Sequence, residues 1–142
     1  MERIKMNVLG TDYTVQIFDT KEAKEHKAFE TVKGYFDYTT KTINVIGSDT
    51  DDLAPEDIPV GDPAVITQYA IRHELIHAFL EESGLKDEIT VPEELIDWIA
   101  LQLPKIMKVC LRHGLLSEKD LEDCVKAYED HIIKDREGVD FV

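Results

Sequence analysis

The sequence is poor in cysteine, in basic residues and in long apolar runs, and each shortage removes a class of protein. Two cysteines, Cys110 and Cys124, are too few for a disulfide framework and lack the close-set thiolates of a zinc ribbon. They flank Gly114 and could meet across two antiparallel helices, but buried, reduced thiols are the plainer expectation. Lys and Arg number 16 against 30 Asp and Glu, a net charge of -14. A field of that sign repels phosphate backbones and anionic membranes, so no nucleic-acid partner is expected. No stretch reaches the roughly 18 apolar residues of a membrane span. The alternating segment Met1–Gly10 also lacks the apolar centre of a signal peptide. A cytoplasmic protein without a membrane partner is the expectation.

What is present is an ordinary globular balance, 142 residues with 43% hydrophobic and 32% charged, enough for one domain with its own core. Strand signals fill residues 1–46, an acidic loop occupies 47–62, helix signals run over 63–135, and 136–142 form a tail. That segregation predicts an α+β fold, a small antiparallel sheet followed by three helices. Ile4, Met6 and Val8 alternate with polar neighbours, Gly10-Thr11-Asp12 breaks the run, and Tyr13, Val15 and Ile17 resume it as a hairpin. Residues 20–31 fit a short helix or a loop equally well. Gly34–Asp37 and Thr42–Ile46 make a second hairpin. The cluster Asp49, Asp51, Asp52 lacks the Gly and terminal Glu of an EF-hand loop, which favours a solvated acidic loop over a calcium site.

The helices are punctuated. Asp62 can cap a helix with Pro63 in its first turn, and Ser83-Gly84-Leu85 supplies a left-handed stop. Pro92 opens a second helix that stops near Gly114, with a kink expected at Pro104. Its apolar residues run nearly all round, which predicts a central position. Ser117 and Asp120 resemble a capping box for a third helix, whose Leu121, Val125, Tyr128 and Ile132 predict packing from one side.

Inside the first of these helices stands His73-Glu74-Leu75-Ile76-His77. Residues four apart lie one turn above each other, so both imidazoles can reach one ion. Ile66, Tyr69, Ala70, His73, Ile76, His77 and Leu80 share one stripe by the helical period, which predicts that both histidines face the interior. Buried imidazoles need polar partners, and one zinc ion would serve both. With five histidines in the chain, a chance HExxH is expected about 0.01 to 0.02 times; core histidines without metal are the plain alternative. No third histidine follows at metal-ligand spacing, so a carboxylate is expected as third ligand. Glu93 and Asp97, four apart on the next helix, share a face on which one carboxylate could ligate while the other holds an imidazole. Acids also gather at helix N-termini for the dipole alone.

On these residues the chain resembles the zincin metallopeptidases, in particular the gluzincin pattern HExxH followed by ExxxD, and is similar to small phage and prophage proteins of the ImmA/IrrE type. The similarity spans about residues 34–110; Ile96 and Ile99 stand where the pattern has Ala and Phe, and the gap after His77 is short. The resemblance implies a minimal zincin-like fold and a zinc ion (Zn2+) held by His73, His77 and Glu93. It makes Asp97 the support of a ligand histidine and Glu74 the general base of peptide-bond hydrolysis. Glu94 is the alternative third ligand, should the helix be one residue out of phase. Tyr69, His113, Tyr128 and His131 are unranked candidates to support the oxyanion. The expected partner is a protein or peptide substrate, such as a repressor; the alternative is a non-catalytic zincin-fold phage protein acting in binding or assembly.

Overall fold

The computed structural model describes residues 1–47, 63–85 and 91–136, apart from the side chains of Pro63 and residues 131–136. The acidic stretch from residue 48, with Asp49, Asp51, Asp52 and the expected cap Asp62, lies outside the described residues, as do Ile132's side chain and the tail from 137.

Strand β1 (Glu2–Val8) pairs antiparallel with β2 (Thr11–Phe18). Its apolar alternation places Ile4 opposite Val15 and Met6 opposite Tyr13 on the core side. The connecting turn is shorter than expected. Only Leu9 and Gly10 form it, with φ of 49° and 92°, a geometry whose twist matches the flanking strands. Asn7 braces it, accepting from Gly10 N (2.9 Å) and donating to Asp12 Oδ1 (2.8 Å), so Thr11 and Asp12 already pair within β2.

The second hairpin, β3 (Gly34–Asp37) and β4 (Thr42–Ile46), lies where the sequence places it. The sheet itself corrects one expectation: it is mixed, in the order β1-β2-β4-β3, with β4 parallel to β2. Hairpin patterns specify pairing within each hairpin and leave open how two hairpins meet. Here the segment between them forms helix α1 (Thr20–Lys24), capped by Asp19 and Glu22, and a 3₁₀ turn over Lys27–Glu30. That crossover is long enough for a parallel connection. It also covers the second sheet face, where Phe18, Ala23 and Ile46 form a cluster with Phe29. β4 is therefore buried on both faces, which suits its run of β-branched residues.

Helix α2 (Pro63–Ser83) packs on β3 and β4. It stops as expected: Gly84 takes φ 78°, Leu85 N donates to Leu80 O over 2.9 Å and Gly84 N to Glu81 O over 3.2 Å. Helix α3 covers Glu93–Arg112 and includes Pro104; helix α4 covers Glu118–Arg136, and Ser117 and Asp120 cap each other as expected. No helix among the described residues is long and apolar enough to cross a membrane.

The chain groups into two compact units that divide at Leu101/Gln102, inside α3. A boundary within a continuous helix leaves no linker composition to read. The first unit holds the sheet, α1, α2 and the start of α3. Two helix expectations are corrected. Helix α3 is not central: Ile96 and Ala100 are buried, while Leu95, Trp98, Leu101, Val109 and Leu111 are exposed. In the second unit Leu121, Val125 and Tyr128 of α4 are exposed rather than packed. Both cysteines are free, but Cys110 is half-buried and Cys124 exposed.

Candidate metal centre

Apolar residues surround α2, so its sequence period leaves the rotation about its axis open. The sheet takes the side that carries Ala70, Ile71, Leu75 and Ala78, where two alanines let the helix approach closely. Glu74 lies on that side and Ile66 is exposed, a rotation of about 100° from the expected stripe. His73 and His77 consequently occupy the flank, with side chains 16% and 26% exposed.

That flank meets the first turns of α3. Pro92 O accepts the opening helical bonds from Leu95 N and Ile96 N, and burial of Ile96 turns Glu93 and Asp97 toward α2. His73 Nε2 and His77 Nε2 lie 3.3 Å apart. Glu93 Oε2 is 3.2 Å from the first and Glu93 Oε1 3.1 Å from the second. On its other side, His73 Nδ1 lies 2.8 Å from Asp97 Oδ1, and Tyr69 OH donates to the same oxygen over 2.6 Å.

The donor chemistry is specific. A neutral His73 that donates from Nδ1 keeps only a lone pair at Nε2, and this lone pair faces a carboxylate and a second imidazole. Acceptors at such separations repel unless a proton or a cation lies among them. His73, His77 and Glu93 form a group that could hold a metal ion, their ligand atoms all within 4.8 Å of one another. Burial lowers the His77 pKa, against the pull of Glu93, which favours the neutral, ligating form. The Tyr69 hydrogen bond holds the Asp97 carboxyl below the usual range. Burial, followed by that same bond, pushes Tyr69 up to about 12. The Glu93 side chain is 60% exposed, so the α3 side of the group is open to solvent.

Glu74 is only 7% exposed, and burial raises its carboxyl to about 7, with His73 opposing and Glu93 adding to the shift. Space for it comes from Gly34 at the start of β3: a Cβ there would stand 3.2 Å from Glu74 Oε1 and 3.2 Å from Val45 Cγ1. Motif spacing gives no hint of Gly34. The available signal is a glycine within a strand run, which marks a close approach.

The structure thus brings His73, His77, Glu93 and Asp97 together and leaves Glu94 exposed outside the group. Of the oxyanion candidates, Tyr69 is engaged with Asp97, His113 and Tyr128 belong to the second unit, and the side chain of His131 lies outside the described residues. Comparison with protein-family models, with curated proteins and with solved structures gives no match.

Proposed function

We propose that the chain is a zinc-dependent metallopeptidase of the zincin type, with His73, His77 and Glu93 as metal ligands and Glu74 as the proton carrier. One observation carries the reading: His73 Nε2 and His77 Nε2 stand 3.3 Å apart, and each faces one oxygen of the Glu93 carboxylate, at 3.2 and 3.1 Å. Tetrahedral zinc with bonds of about 2.0 to 2.1 Å sets its ligand atoms roughly 3.3 Å apart. Two imidazoles and a carboxylate, with an open side, are the donor set of a hydrolytic rather than a closed structural site. When bound, zinc supplies a water of lowered pKa and polarises a substrate carbonyl.

The chain's own residues do the rest. Asp97 holds His73 in the tautomer that frees Nε2. Glu74, whose carboxyl burial raises to about 7 in the metal-free chain, takes a proton from the attacking water and gives one to the leaving amine. Strand β3 is an edge of the sheet, and an extended peptide added to that edge would run past Gly34, beside Glu74. This favours a protein or peptide substrate, and a specific intracellular protein such as a repressor is the partner we propose; the resemblance itself identifies no substrate. The buried Glu74 favours catalysis, since a purely structural zinc site would not require it.

Glu74→Gln tests the assignment. The variant should keep its zinc and lose at least about 10²-fold of the parent's cleavage of a peptide library. Residual cleavage above about a tenth of the parent rate would remove Glu74 as the base, and a zinc-loaded parent that cuts nothing would favour the binding role.

A further inference from the structure

Pro104 sits inside α3. Lacking an N–H, it cannot donate to the carbonyl of Ala100 four residues earlier. Ala100 is 0% exposed, so bulk water does not reach the residue to replace the missing donor, and a buried carbonyl without one is costly. The replacement comes from α2: Arg72 Nε donates to Ala100 O over 2.8 Å.

We infer that Arg72 is a positioning residue for the metal centre, docking α3 through the carbonyl that Pro104 leaves open and so fixing where Glu93 and Asp97 stand. The inference rests on the metal-centre reading above. Its geometry is a ladder between two helices. His77 meets Glu93, His73 meets Glu93 and Asp97, Tyr69 meets Asp97, and Arg72 meets Ala100. Positions 93, 97 and 100 follow the i, i+4, i+7 spacing of one helical face. The Arg72 rung reaches backbone, so unlike the side-chain rungs it fixes the axial position of α3 itself. A charged donor on a carbonyl is also among the stronger protein hydrogen bonds. A slip of one residue would move α3 by about 1.5 Å and turn it by about 100°, withdrawing Glu93 and offering Pro92 or Glu94 instead. The rung therefore selects Glu93 over its neighbour.

The test is a zinc titration against a competing chelator for the parent, Arg72→Ala, Arg72→Lys, Pro104→Ala and Arg72→Ala/Pro104→Ala, with amide hydrogen exchange of each metal-free protein. Arg72→Ala should weaken zinc binding by roughly 10- to 100-fold, as loss of a supporting partner does, and Arg72→Lys should restore part of that. Pro104→Ala returns a helical N–H to Ala100 O, so removing Arg72 in that background should cost less than about threefold, a coupling that simple loss of stability would not produce. Parent-like zinc affinity in Arg72→Ala would overturn the inference, as would equal losses in both backgrounds. If the parent itself binds no zinc, the metal-centre reading fails separately. Exchange then decides the docking role: faster exchange over 93–100 in Arg72→Ala, with the sheet unchanged, supports it, and unchanged exchange overturns it.

Discussion

Glu93 and Glu94 carry the same side chain on adjacent positions, and a rotation of about 100° separates their roles. Glu93 closes on both imidazoles while Glu94 stays in solvent. Glu93→Ala should accordingly lower zinc affinity far more than Glu94→Ala in parallel titrations; the reverse order would place the helix out of phase. Gly34 matters through what it omits. Gly34→Ala forces a methyl against Glu74 and Val45, an overpacking that costs about 1 to 3 kcal/mol. It should lower the melting temperature and, by displacing Glu74, reduce cleavage more than zinc content. His73, Glu74 and His77 were legible because one helical turn fixes their spacing locally. Gly34 and Arg72 act across space on residues 40 and 28 positions away, and no local period records such a meeting.

At the scale of elements, the hairpins, the stop of α2 and the cap of α4 follow from short-range chemistry: alternation, a left-handed glycine, a Ser and Asp pair. What short-range chemistry leaves open is assembly. The parallel join of β2 and β4 depends on the path of α1, and the rotation of α2 depends on which side the sheet accepts. The far end of α2 is tied down by Glu82, which accepts from Tyr13 OH, from Thr11 Oγ1 over 2.7 Å and from Lys41 Nζ over 3.0 Å. Those bonds, that of Tyr13 first, lower Glu82 from 4.5 to about 2. A carboxyl depressed in the folded state contributes stability that is fully present above its unfolded pKa and lost as pH falls through the folded one. The difference in melting temperature between the parent and Glu82→Gln should therefore be constant above about pH 5 and shrink between about pH 4.5 and 2. A difference that does not change with pH would show that Glu82 acts through shape alone.

At the scale of the whole molecule, charge and composition give expectations about partners and say little about packing. The -14 net charge speaks against phosphate-backbone ligands, yet nothing in composition announces that the chain divides inside α3 or that Leu121, Val125 and Tyr128 stay exposed. The site belongs wholly to the first unit, where α2 rests on the sheet and the opening turns of α3 close over its flank. A metal bound only by this folded arrangement stabilises it. Elemental analysis of the parent beside a His73→Ala/His77→Ala variant, each exposed to zinc and dialysed, tests the central claim most directly. The account predicts about one zinc per parent chain and almost none in the variant, with the affinity of a tetrahedral protein site; a metal-free parent, or equal zinc in both, would contradict it.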